Sequence, residues 1–314
     1  MARGAVGIKD VAERAGVAIG TVSNVLNRPE IVSAARRERV EAAIAELGYV
    51  RNEAARGLKV GTSRMVGSIV LDAANPFYAA VVAGMESAAE DSGLVVMSGS
   101  SGNQAPRERQ HLRLFAEQRM RGILLASTGG CDDLVAAIRD RGTPIVEVEH
   151  HTAGAASSSV AVVLARTEFA QVDKRLAGAR AAAEEGGAEC EVIGARTLTV
   201  LAGRSVGEQI AARTRAERPD ALFCVNDLLA VGVLQAFAYG GRIAVPEDVA
   251  LVGYDDIEFA RSTVVPLTSI AQPAELMGRT ALALLEEQVA GRGSGPFRHV
   301  DFSPELVVRE SSAP

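Results

Sequence analysis

At 314 residues, with 48% hydrophobic and 23% charged residues, the chain has the make-up of a soluble globular protein of about two domains. It has no apolar run long enough to span a membrane and no signal peptide in Met1–Asp10, and its three scattered cysteines (Cys131, Cys190, Cys224) exclude a disulfide framework, which together predict a cytoplasmic protein. The net charge of −6 is unevenly divided, +3 over residues 1–60 and −9 over the rest, so a basic head that can meet phosphate precedes an acidic body that repels it.

The head reads as helices. Ile8, Val11, Ala12 and Ala15 share one helical face, and Gly16 ends that helix. A second helix runs from about Ile19 to Leu26 with Val22, Val25 and Leu26 apolar, and Asn27-Arg28-Pro29 follows as punctuation. A third opens at Ser33, carries Val40, Ala43, Ile44 and Leu47 at helical spacing, and closes at Gly48. Two short helices packed by a third form the helix-turn-helix plan.

From Met65 the pattern changes to apolar runs alternating with helical stretches. Strands are predicted at Val66–Leu71, Leu94–Met97, Gly122–Leu125 and Pro144–Val148, with helices at Pro76–Asp91, Arg107–Gln118 and Asp132–Arg141 between them. The polar stretch Glu149–Ser159 then reads as a crossover to a second series. Its strands are Cys190–Ile193, Ala221–Val225 and Val249–Gly253, and its helices Thr167–Glu185, Thr199–Arg213 and Asp227–Tyr239. A last helix, Pro273–Val289, and a short strand around Leu306–Val308 complete the chain. Repeated βαβ units predict parallel sheets covered on both faces. Ligands in such sheets bind beyond the C-terminal ends of the strands, where Asn226 and Asp255 fall. No internal repeat or heptad occurs, and no leucine-rich tail follows Glu310, which favours a dimer over a tetramer.

The segment Asp10-Val11-Ala12-Glu13-Arg14-Ala15-Gly16-Val17-Ala18-Ile19-Gly20-Thr21-Val22-Ser23-Asn24-Val25-Leu26-Asn27 resembles the DNA-binding head of the lactose-repressor (LacI) family. The resemblance continues through Val32-Ser33 and Val40–Tyr49. It implies a recognition helix in the major groove of operator DNA, contacted through Ile19, Gly20, Thr21, Ser23, Asn24 and Asn27. Thr21 and Ser23 donate to phosphate on this reading. Asn24 suits adenine, and Ile19 offers only apolar contact, as to a thymine methyl. Ala18 departs from the family's usual serine, a helix cap worth roughly 0.5–2 kcal/mol. Asn52–Lys59 resembles the family's hinge helix, in which Leu58 would wedge into the minor groove beside the small Ala55. Arg51 in place of the usual proline, and Gly57, both weaken that helix.

The same resemblance extends over the body to Pro304–Glu310 and implies a fold of two doubly wound lobes of periplasmic-binding-protein type. Its parts are a helix-turn-helix domain at 1–51, a hinge at 52–61 and an effector and dimerisation domain at 62–314. Within the last, an N-lobe covers about 62–150 and 273–299 and a C-lobe about 160–271 and 300–311. It implies a small-molecule effector, carbohydrate or sugar-like, held by Arg175, Asn226 and Asp255, with Phe77, Asp72 and Glu149 as further candidates. Each has a structural alternative. Asp227, Asp255 and Asp256 can cap helices, Arg175 can be a surface partner, and Phe77 can be core. No cofactor is implied. The adjacent His150 and His151 cannot easily share a metal, and no nucleophile motif accompanies the Asp255-Asp256 pair, so no enzyme is read.

One departure is large. Where the family carries a helix feeding the next strand after the first crossover, Ser159 runs almost at once into Val160–Thr167, and roughly twenty residues are missing. A parallel crossover usually needs a helix. One face of the second sheet is therefore expected to lack cover: either neighbouring segments fill in, or the lobe is destabilised and Val160–Leu164 exposes apolar surface. The reading is a homodimeric, effector-controlled repressor of double-stranded operator DNA with no membrane association. Its alternatives are a DNA-binding regulator whose effector response the deletion has impaired, and a solute-binding protein sharing the two-lobed body.

Overall fold

The computed structural model describes residues 6–50, 63–148, 159–165, 170–291 and 298–313. They divide into two units, Met1–Thr62 and Ser63–Pro314.

In the first unit, α1 (Ile8–Ala15) opens with the Gly7 N–H donating to Asp10 at 2.7 Å. It ends on Gly16, whose φ of 63° is the left-handed conformation a Cβ disfavours. Then come α2 (Ile19–Asn27), a 3₁₀ turn (Pro29–Ile31) and α3 (Ala34–Leu47). The predicted apolar faces meet: Val11, Ala12, Ala15, Val22, Val25, Val40 and Ala43 form one core. Arg14 donates to Glu46 at 3.0 Å and ties α1 to α3.

The second unit holds two sheets. In lobe 1, β1 (Met65–Val70), β2 (Val95–Ser100), β3 (Ile123–Leu125) and β4 (Ile145–Glu147) make a parallel sheet in the order β2-β1-β3-β4. Helices α4 (Pro76–Asp91), α5 (Ala105–Glu117) and α6 (Asp132–Asp140) are its crossovers. Lobe 2 contains β5 (Ser159–Ala165), α7 (Ala170–Glu185), β6 (Glu189–Ala195), α8 (Val200–Ala212) and β7 (Ala221–Cys224). It continues with α9 (Asp227–Gly240), β8 (Ala250–Asp255) and β9 (Thr268–Ala271). The chain then returns to lobe 1 as α10 (Ala274–Val289), which packs on α4, and comes back as β10 (Glu305–Val307). The second sheet runs β10-β9-β8-β7-β5-β6, with β10 an antiparallel edge on otherwise parallel strands.

Lobe 1 is doubly wound. Val66, Val70, Met85, Leu124, Ala281 and Leu285 belong to the core under α4 and α10, while Ile69, Leu112, Phe115, Ile123 and Ile138 belong to the one under α5 and α6. Close helix pairing depends on glycine. A Cβ at Gly84 would overlap the Glu275 carbonyl, and one at Gly278 the Val81 carbonyl.

Of the two alternatives for the second sheet, exposure of Val160–Leu164 does not occur. These residues form β5, paired with β6 on one side and β7 on the other, and all five are buried. A continuous apolar run is what a strand covered on both faces requires. The thin cover falls elsewhere. Register places Val162, Phe223 and Val252 in one row, and Phe223 and Val252 are only half-buried. Among the described residues no helix stands between β4 and β5.

Candidate functional site

Two surfaces carry the predicted residues. The first is the outer face of α2. Val22 and Val25 anchor the helix in the core, which turns the opposite face to solvent. Ile19 is 46% exposed, Gly20 and Asn24 are exposed, and Thr21 and Ser23 are half-buried. A Cβ at Gly20 would meet nothing within 4 Å, so a partner's backbone can approach closely there. The Asn24 side chain makes no hydrogen bond to another described residue. Asn27 differs: its amide donates to the Ser23 carbonyl at 2.7 Å and reaches the Ser23 hydroxyl at 3.4 Å, so these two predicted contacts are partly engaged with each other. Ala18 is the N-cap and supplies no side-chain hydrogen bond. Ala55 and Leu58 lie outside the described residues.

The second surface lies between the lobes of the second unit, at the C-terminal ends of β1 and β8. Arg175, on α7, is buried. One Nη donates to the Val225 carbonyl, and the other reaches Asp255 Oδ1 at 3.4 Å. The guanidinium carbon lies 3.7 Å from the centre of the Tyr254 ring, and Nε is buried with no partner among the described residues. Arg175 is thus no surface partner. Asp255 also accepts from Gln272 Nε2 at 3.0 Å and from Asn75 Nδ2 at 3.1 Å, the latter from lobe 1. Burial pushes its carboxyl above the ordinary carboxylate range, while Arg175, Asn75 and Gln272 pull it back. Asp255 and Asp256 have φ of 105° and 47°, two successive side-chain-bearing residues on the positive side.

The capping expectations need correction. Asn226, not Asp227, caps α9, its Oδ1 accepting from Leu229 N at 3.0 Å while its amide donates to the Leu198 carbonyl at 3.2 Å. Asp227 instead accepts from Ser269 Oγ at 2.6 Å and Ile257 N at 2.9 Å. Buried near Asp255, its carboxyl is pushed up to about 8. Asp256 caps nothing and pairs with Arg309 at 2.6 Å.

Phe77 is 3% exposed, in the core and edge-on to Tyr78. It also borders a cavity of about 800 Å³ beside Asp255, lined by Pro76, Asp256, Ile257, Gln272 and Pro273 among others. Asp72 closes a local turn by accepting from Ala74 N at 2.9 Å. Glu149, His150 and His151 lie outside the described residues. Sequence reasoning missed Asn75, Tyr78, Gln171, Tyr254 and Gln272. Only Asn75 carried a local signal, as a helix cap before Pro76; the others meet through tertiary contact. Among the described residues no three His, Cys, Asp or Glu are placed to hold a metal, and no helix is long and apolar enough to cross a membrane.

The description "Bacterial regulatory proteins, lacI family" matches residues 7–52. "Periplasmic binding proteins and sugar binding domain of LacI family" matches 63–168, and "Periplasmic binding protein-like domain" matches 150–312. The chain is 31% identical to the HTH-type transcriptional repressor PurR of Vibrio parahaemolyticus, with 97% of this chain and 98% of the relative covered. That alignment runs over 344 positions against 314 residues here, so it contains positions with no counterpart in this chain. Among solved structures, the lac repressor dimer bound to operator and the anti-inducer ONPF matches with a TM-score of 0.78 at 25% identity, covering 98% of this chain and 99% of that one. A CelR–cellobiose complex matches with a TM-score of 0.64 at 28% identity, covering 98% of this chain and all of that one.

Proposed function

This chain belongs to the LacI family of bacterial transcription regulators, and we propose that it is a cytoplasmic homodimeric repressor whose hold on operator DNA is set by a carbohydrate-like effector between its lobes. Residues 1–51 form the DNA-binding domain, 52–61 the hinge and 62–314 the effector domain. Ile19, Gly20 and Asn24 read base edges, Thr21, Ser23 and Asn27 support them, and Leu58 with Ala55 wedges the minor groove. Arg175, Asn226 and Asp255 hold the effector, and Phe77, Asp72 and Glu149 are further candidates for contact with it.

The observation that carries the reading is the buried Arg175–Asp255 pair at the strand ends between the lobes, in a chain that also exposes the polar face of α2. Bound cellobiose in one similar regulator, and operator with ONPF in another, support a sugar-like effector and a dimer on DNA. The effector acts through its different affinities for two arrangements of the lobes. A second reading, a regulator with an impaired effector response, draws support from the half-bare row at Phe223 and Val252.

The test is fluorescence anisotropy of operator binding with glucose, ribose, cellobiose and nucleosides added in turn. One compound shifts operator affinity in the wild type and not in Asp255→Ala, which still binds operator. An equal response in both removes Asp255 from the effector site.

A further inference from the structure

The hydrogen bond between Asn75 and Asp255 joins the lobes directly. Asn75 caps α4, with Oδ1 accepting from Phe77 N at 3.0 Å. That bond fixes the side chain and leaves its amide nitrogen aimed across the cleft, 3.1 Å from Asp255 Oδ2. Both residues are 7% exposed. The donors to Asp255 are divided by origin. Oδ1 takes Arg175 and Gln272, from α7 and from the end of β9. Oδ2 takes Asn75, from lobe 1. One turn along α4, the Tyr78 hydroxyl donates to Gln171 Oε1 at 3.3 Å, a second bond from lobe 1 to α7. The positive φ at Asp255 and Asp256 presents this carboxylate at the seam, and such backbone persists only where the surroundings fix it.

We propose that Asn75 is the residue through which the cleft senses its ligand: its amide latches lobe 1 to Asp255 Oδ2, and an effector hydroxyl donating to that oxygen displaces it and frees lobe 1. The inference rests on the reading of this cleft as the effector site. A ligand suited to the exchange carries a hydroxyl that donates to Asp255, which lines the cavity between Phe77 and Gln272. Occupancy then loosens the closed arrangement instead of gluing it. Asn75 does so as a positioning residue, since its own oxygen is committed to Phe77.

The test uses the full-length protein with spin labels on cysteines placed at the exposed Glu90 of lobe 1 and Glu184 of α7, in a Cys190→Ser background. Asn75→Asp and Asn75→Ser both keep a good helix cap. The first sets a carboxylate against Asp255, and the second is too short to reach it. Pulsed EPR is expected to give one short distance for the wild type and a longer one for both variants. The closed-to-open ratio should fall about tenfold or more, the worth of a hydrogen bond to a charged group. Unchanged distances in both variants overturn the latch. Glucose, ribose and cellobiose are then added to the wild type, with binding read by thermal shift. A sugar that binds and lengthens the distance supports displacement, and one that binds without lengthening it overturns displacement. Sugar binding alongside unchanged variant distances leaves the effector cleft standing and removes only the latch. Open variants with no sugar bound keep the latch and count against the sugar reading.

Discussion

Arg175 holds its guanidinium 3.7 Å from the centre of the Tyr254 ring while donating to the neighbouring Asp255, so one cation meets an aromatic face and a carboxylate inside the protein. Arginine suits this because its planar fork can stack and hydrogen-bond together. A buried pair of this kind is a weak source of net stability, but breaking one side of it is costly.

Arg175→Leu is therefore expected to destabilise the second unit by about 3–5 kcal/mol, because Asp255 is left buried beside no cation. Adding Asp255→Leu to it should recover most of that loss. Urea unfolding measures both. A double variant as unstable as the single one would show that the two side chains are not coupled.

In the first unit, Ala18→Ser should stabilise α2 by roughly 0.5–2 kcal/mol through a new bond to an open N–H of its first turn. Ala18 already has the extended backbone of a cap (φ −68°, ψ 150°) and lacks only the oxygen. Hydrogen exchange of the α2 amides reads the effect. Unchanged protection would mean that the cap is already satisfied.

Gly84→Ala and Gly278→Ala should each destabilise by about 1–3 kcal/mol or more, since the added methyl meets a rigid carbonyl across the α4–α10 contact. Gly20→Ala, which meets open space, should leave thermal stability close to wild type and alter DNA binding instead. Equal melting temperatures for all three would contradict the packing account.

Asp227 gives the pH dependence its sign. Its folded pKa of about 8 lies above the ordinary 3.8, so the native state holds the extra proton. Its contribution to stability is full below the lower value and is lost as pH rises through the upper one, at up to about 1.4 kcal/mol per pH unit. Asp227→Asn should flatten this slope. Urea midpoints at pH 5 and pH 8 test it, and an identical slope in the variant would remove Asp227 as the cause.

The parts of this fold that were legible in the sequence are those fixed by neighbours in the chain. Helix Pro76–Asp91 is predicted and found at the same bounds because Asn75 and Pro76 set its start and an apolar stripe holds it. The face of α2 follows from Val22 and Val25 alone. Asn75 meeting Asp255 is a contact across 180 positions and leaves no local trace. The capping error at Asp227 is of another kind. Asn226 and Asp227 both suit a cap, and only the position of Ser269 and Ile257 decides which one turns inward. Val160–Leu164 stays open in the sequence because an apolar run reads alike whether bare or buried, and only its pairing with β6 and β7 settles which.

The most direct measurement is selection of genomic DNA fragments by the purified full-length chain, run in parallel with Asn24→Ala. The wild type is expected to enrich one pseudo-palindromic sequence, with affinity falling steeply as salt rises and with the sequence preference lost in the variant. Fragments retained without sequence preference, or an identical preference after the change at Asn24, would contradict it.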